Sequence, residues 1–281
     1  MIECGRVMGS HRFLDIMKSY SERVQNLFRS GSILPLISMI YPLLVLLVIA
    51  SLLFGALSIS FSLSSEVLSA VKLSIISATS ATSIAFLLGI PLAYTLSRTP
   101  KSRLISVIET LVELPVAVPP LVSGLALLLL LAPLSPVGEI LASAGVKILF
   151  TLKGAILAQL FVASPFLIRG AQSSFRMVDT RLESVARVLG ASPLKVFFMI
   201  TLPIAQNGIF TATMLTWARC MGEFGATLMV AGAIPYRTET LPVGVFLNTS
   251  TGQLELAIGC ALVLLLVSFS SMLATKLFFS K

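Results

Sequence analysis

Long apolar runs separated by short polar stretches organise this chain, at about 33–57, 67–96, 104–131, 154–171, 204–231 and 254–277. A helix needs ~20 apolar residues to cross a hydrocarbon layer of ~30 Å. The pattern therefore predicts an all-α, polytopic membrane protein with six transmembrane helices, a membrane domain over 33–281 and a cytoplasmic N-terminal segment over 1–32. Composition agrees. With 56% apolar residues, 11% charged residues and a mean hydropathy of +1.00, the 281-residue chain has too little polar surface for a soluble globule.

Lys and Arg set the expected orientation, because short basic loops stay on the cytoplasmic side. Arg6, Arg12, Lys18, Arg23 and Arg29 precede the first run, and Arg98, Lys101 and Arg103 follow the second. Arg176, Arg181, Arg187 and Lys195 cluster after the fourth, and Lys276 and Lys281 end the chain. The opposite loops hold only Lys72, Lys147, Lys153 and Arg237. Both termini and the stretch 179–203 are thus expected in the cytoplasm, with the protein in the plasma membrane. This bias accounts for the net charge of +8 without a nucleic-acid partner. Phe13, Ile16, Met17, Tyr20, Val24 and Leu27 recur at helical spacing opposite Arg12, Lys18 and Arg23, as in a helix lying in the membrane interface. Alternatively, translation starts at Met8 or Met17 and part of that segment is never made. No signal-peptide core is visible there. Cys4, Cys220 and Cys260 have no metal-ligand spacing and read as reduced apolar fillers.

The polar stretch 179–203 reads as two short amphipathic helices. Thr180 and Glu183 have the spacing of a capping box. Leu182, Val185, Ala186 and Leu189 then form one apolar face, Gly190 stops the helix, and Ser192 with Pro193 starts the next, which Leu194, Phe197 and Phe198 continue. Such a loop is either an ordinary capped connection or an element that docks into a partner's groove. It resembles the coupling loop of ABC importer permeases, with Gly190 and Leu202-Pro203 in place. The family's Glu-Ala-Ala falls on Ser184-Val185-Ala186, with the acidic side chain one residue earlier at Glu183. The resemblance implies that Glu183, Ser184, Ala186, Leu189, Gly190, Ala191, Pro193, Phe197 and Pro203 couple this chain to an ATPase.

Irregular positions in the apolar runs mark a possible pathway. Pro115, Pro119 and Pro120 break the start of the third run, as either a helix entrance lining a cavity or a kink at a packing interface; Pro91 and Pro165 carry the same two readings. Arg219 and Glu223, four apart within the fifth run, are either a structural ion pair or part of a gate. Gly222 and Gly225 flank Glu223. Ser123, Thr213, Thr216 and Thr227 offer hydroxyls to an anion or to their own backbone.

Three blocks narrow the resemblance. GEFGATLMVAGAIPYRTETLPVGVF (222–246), ELPVAVPPLVSGLALLLLL (113–131) and AQLFVASPFLIRGAQSSF (158–175) are similar to the molybdate and tungstate permeases of the ABC importers. The resemblance implies a type I ABC importer permease fold and a homodimer around one pathway. It also implies two copies of a separate ABC ATPase, and an extracytoplasmic molybdate- or tungstate-binding protein that meets the segment 235–253. By the chemistry of their own positions, Pro119, Pro120, Ser123, Thr216, Arg219, Glu223, Gly225 and Thr227 are the expected pathway or gate residues. Sulfate or thiosulfate is the alternative cargo. The chain has no Gly-rich phosphate loop, so ATP and Mg are expected on the ATPase, with no catalytic, cofactor-binding or metal residue here. No C-terminal regulatory domain is expected.

Two other classes fit less well. The one histidine, His11, and the two aspartates, Asp15 and Asp179, lie outside the runs, against an intramembrane hydrolase. An ATP-independent carrier or channel would not need the 179–203 loop, and no inverted repeat is evident.

Overall fold

A computed structural model describes residues 33–58 and 64–279, which are helical wherever they are regular. The expected N-terminal interfacial helix, its alternative starts and Cys4 lie outside the described residues. Chain contacts separate residues 1–55 from 56–281. The first unit contributes most of α1 (Ile33–Ser58), an apolar helix with Pro42 inside it.

In the second unit, α2 (Ser65–Arg98) starts where the Ser64 side chain accepts from Val67 N at 3.3 Å. After the turn at Pro100, Ser102 caps α3 (Arg103–Ala117) in the same way. The third apolar run does not continue straight. Pro119 and Pro120 supply no N–H and hold Val118 extended, so α4 (Pro120–Leu131) leaves at 110° to α3. Val122 N and Ser123 N both donate to Pro119 O, at 2.9 and 3.1 Å, which seals the new helix start. A short helix α5 (Pro136–Ser143) leads to α6 (Leu152–Arg176).

Helix α6 is the centre of this unit. It packs on α2 along a seam rich in small residues, with Ala78, Ala81, Ala85, Gly89 and Ala93 of α2 clustered with Ala163, Leu167, Ile168 and Ala171 of α6. Small side chains let membrane helix backbones approach closely, where packing rather than a hydrophobic drive holds them. Two connecting helices, α7 (Thr180–Val188) and α8 (Pro193–Val196), and a π turn (Phe197–Thr201) follow, then α9 (Leu202–Met221) returns along α6. A Cβ on Gly170 would stand 2.5 Å from Ala212 Cβ, and Gly208 faces Ser174 as tightly, so both helices are flattened where they cross. The short helices α10 (Gly225–Ala231) and α11 (Leu241–Ser250) precede α12 (Leu254–Phe279). Among the described residues five segments are long and apolar enough to cross a membrane, and the bent α3–α4 pair, taken as one span, makes a sixth.

Candidate functional site

The connection between α6 and α9 has an inward and an outward face. Inward, the expected capping box does not form. Asp179 caps α7 instead, accepting from Arg181 N at 2.9 Å, because Glu183 has a stronger partner. Arg98, at the end of α2, donates from Nε to both Glu183 oxygens (3.0 and 3.2 Å) and from Nη2 to Oε1 (2.6 Å). Thr201 Oγ1 donates to the same Oε1 at 2.8 Å, and Arg98 Nη2 also reaches Val178 O at 3.4 Å. This buried clasp ties α2, the end of α6, α7 and the π turn together. Phe197 also turns inward, its ring centroid 4.9 Å from Tyr94 and 6.0 Å from Phe175. Glu183 and Phe197 are therefore parts of the scaffold under the loop rather than of its exposed face.

Outward, Gly190 takes φ +87, and Ala191 N donates to Ala186 O at 3.0 Å, closing α7. Ser192 caps α8, with Pro193 in its first turn. Leu182, Val185, Ala186 and Leu189 from α7 and Met199 and Pro203 beyond it line an apolar groove of about 550 Å³ with Arg181 at its edge. Ser184 lies on the exposed side of α7. Contiguous exposed leucine, valine and methionine of this kind mark a surface made to be covered.

Deeper in the membrane domain the fifth run is interrupted. Helix α9 ends at Met221, and Glu223 caps the separate helix α10, its Oε1 accepting from Ala226 N at 3.0 Å. Arg219 Nη2 stands 2.7 Å from Glu223 Oε2 in an ion pair that lacks hydrogen-bond alignment. The pair thus spans a helix break instead of lying along one helix face, and Glu223 is 1% exposed. Helices α4 and α10 meet at glycines. A Cβ on Gly124 would be 2.7 Å from Ala226 Cα, and one on Gly225 would be 3.0 Å from Leu121 N. Ser123 Oγ and Thr227 Oγ1 are buried beside this contact without a hydrogen-bond partner among the described residues. Thr213 and Thr216 bond their own helix, at Ile209 O and Ala212 O, both at 2.8 Å.

Sequence reasoning overlooked a second set of charges, which begins inside an apolar run and extends to the end of α6. Arg169 Nε is 3.0 Å from Glu113 Oε1, and Glu109 Oε1 accepts from Gln172 Nε2 at 2.7 Å and Arg176 Nη2 at 2.9 Å, so α3 is laced to α6. The signal was present: Arg169 sits in an apolar run just as Arg219 does. Between α10 and α11, Glu239 is buried and close to Asn248 Nδ2 at 3.4 Å. Burial pushes its carboxyl above the ordinary range, the Glu66 charge adds to this, and the Asn248 contact offsets part of it. Leu241 N donates to Ser74 Oγ at 2.7 Å, anchoring α11 to α2. Among the described residues no cluster of three metal-ligating side chains occurs, and Cys220 and Cys260 are free, buried thiols.

Comparison with known proteins is consistent across the membrane domain. The family model described as binding-protein-dependent transport system inner membrane component matches residues 85–281. A probable molybdenum ABC transporter permease protein of Haloferax volcanii is 42% identical over 207 residues, 74% of this chain and 74% of that protein. The molybdate/tungstate transport system permease protein WtpB of Pyrococcus abyssi is 39% identical over 165 residues, 59% of this chain and 61% of that one. In fold, the chain matches part of a bacterial alginate ABC transporter, solved in complex with an alginate pentasaccharide-bound periplasmic protein. The TM-score is 0.66 over 90% of this chain and 95% of that chain, at 15% identity.

Proposed function

The chain belongs to the inner-membrane components of binding-protein-dependent transport systems and has the type I ABC importer permease fold, and from that premise we propose that it carries molybdate or tungstate into the cytoplasm as the membrane subunit of an ATP-driven importer. The observation that supports coupling is the apolar groove on α7, left open by the described residues and clasped through Glu183 to the transmembrane helix α2. An ATPase subunit seated in that groove moves α7 as a rigid piece, and the clasp passes the displacement to α2 and α9. ATP and Mg belong to that partner. Two copies of this chain, each with one groove, would seat two ATPase subunits around a twofold pathway, with both chain termini on the ATPase side. On the opposite side the segment 235–253, anchored on α2 through Ser74, would receive an extracytoplasmic binding protein loaded with the oxyanion.

The choice of cargo is supported by the molybdenum and molybdate/tungstate permeases among the relatives. Uptake of labelled tungstate, molybdate and sulfate into proteoliposomes holding this chain, its ATPase and its binding protein tests the reading. ATP-dependent uptake of the first two over sulfate is expected. Preferential sulfate uptake would change the cargo, and uptake independent of ATP would make the chain a carrier or channel.

Gly190→Val separates coupling from folding. The glycine's φ of +87 costs a β-branched residue roughly 1–2 kcal/mol, while a Cβ there meets no atom within 4 Å. The variant is expected to reach the membrane normally but to transport fewer anions per ATP hydrolysed, since the two connecting helices lose their fixed angle. An unchanged ratio of uptake to phosphate release would remove the loop from the coupling path.

A further inference from the structure

We propose that Arg169 is a docking point for a tetrahedral oxyanion inside the membrane domain, with Glu113 as the tethered carboxylate that holds the arginine when the anion is absent. The inference rests on the importer reading and adds to it a residue and a ligand class.

Arg169 is seven residues from the end of α6, or ~10 Å along the helix. The neighbouring Gly170 touches Ala212, which fixes this level on α9, and Arg219 lies seven residues further along, again ~10 Å toward the other side. The two arginines therefore sit at different levels of the packed α6–α9 pair, roughly two helical turns apart, each beside a carboxylate.

Four arginine–carboxylate pairs occur among the described residues, and their satisfaction differs. The Arg98 guanidinium is bonded to both oxygens of Glu183 and to a carbonyl. Glu109 accepts from Gln172 as well as Arg176. Arg169 instead meets Glu113 at Nε, 3.0 Å from Oε1, and its side chain is 58% exposed, with Glu113 at 41%. A guanidinium has five N–H donors in a planar fork, and at this exposure the edge formed by Nη1 and Nη2 is accessible to a ligand. That edge matches two oxygens of a tetrahedral dianion in the bidentate arrangement arginine favours.

Exposure at this depth has a further implication. A half-exposed ion pair facing acyl chains costs several kcal/mol, so its open side faces a water-filled pathway or a second copy of this chain. The α3–α6 contact is already fastened by Glu109, Gln172 and Arg176, which leaves the Arg169 pair free to exchange partners. Glu113 keeps the exchange shallow. Its carboxylate competes with the dianion for the same guanidinium, so the anion is held without being trapped.

The test uses the complete transporter with its ATPase and binding protein in proteoliposomes. Arg169→Gln is expected to lower tungstate uptake on the order of tenfold to a hundredfold or more, through loss of the bidentate charge-assisted contact. Stimulation of ATP hydrolysis by the loaded binding protein should persist, and Arg169→Lys should recover part of the rate. In Arg169→Cys, the new thiol should react with a negatively charged methanethiosulfonate reagent, and tungstate or molybdate should slow that reaction where chloride does not. Wild-type uptake by Arg169→Gln, or labelling of Arg169→Cys that is absent or indifferent to oxyanions, overturns the proposal. Equal loss of assembled complex in Arg169→Gln and Glu113→Gln also overturns it, by making the pair a structural tie. Failure of wild-type transporter to take up any oxyanion would instead strike the importer reading.

Discussion

Glu183→Ala is expected to be the most damaging single substitution in the half of this protein that carries α7. It removes the acceptor of three Arg98 contacts and of Thr201 Oγ1, and it strands a guanidinium that is largely shielded from water. Breaking a buried ion pair by deleting one partner costs about 3–5 kcal/mol, because the surviving charge stays buried. The detergent-solubilised chain should lose on the order of 10 °C in its unfolding midpoint. Glu183→Gln, which retains an acceptor for Thr201, should lose less, and the exchanged pair Arg98→Glu with Glu183→Arg should regain part of the loss. An unfolding midpoint unmoved by Glu183→Ala would mean that the clasp carries no stability, and with it the transmission from α7 to α2 would lose its physical basis.

Gly124→Val should have the largest effect in the membrane interior. Its Cβ would lie 2.7 Å from Ala226 Cα and 2.8 Å from Met229 Cβ, and the first of these is backbone that cannot swing aside. Overpacking typically costs 1–3 kcal/mol. Here the strain is relieved by parting α4 from α10, which disturbs Glu223 and its cap on Ala226. Transport should fall to background while the chain still reaches the membrane at normal levels. Gly222→Ala is the control, since the nearest atom to its Cβ is Ala218 O at an ordinary 3.6 Å. Equal activity in the two variants would show that the α4–α10 contact is not a closing surface.

Much of this architecture is legible in the sequence because the bilayer constrains it. Every run expected to cross the membrane contains helix, and for α1, α2 and α12 the ends agree within two residues. Gly190, Ser192 and Pro193 also do what their chemistry suggests, because caps and left-handed turns are local. What composition could not convey was direction. Two prolines announce a break at 119–120, but not the 110° turn, which depends on α4 finding α10. The fifth run reads as one span because Gly222 and Phe224 are apolar enough to pass, whereas Glu223 prefers to cap a new helix.

The candidate site shows the same limit. Thr180 and Glu183 have capping-box spacing, yet the partner that wins is Arg98, 85 residues away. Phe197 fits the apolar face of α8 in a helical projection, but the π turn re-aims it at Tyr94 and Phe175. Arg169 escaped notice because one charge barely dents the hydropathy of a long run, although its cost in lipid is no smaller than that of Arg219. Ser123 and Thr227 could be named from sequence, but only the fold distinguishes them from Thr213 and Thr216, whose hydroxyls are already spent on their own helices.

The alanine and glycine seam between α2 and α6 has a mechanical meaning. Interlocked leucines behave like gear teeth, and sliding one helix past another then requires each tooth to climb out of its socket. A seam whose α2 side is methyl groups and bare backbone, offering few sockets to Leu167 and Ile168 of α6, is closer to a plain bearing. It resists separation through close dispersion contact, yet presents only shallow corrugation to movement along its length. The membrane domain can accordingly shear where its backbones are closest, while its charged clasps and lacings lie at the ends and flanks of that seam and fix how far the movement runs.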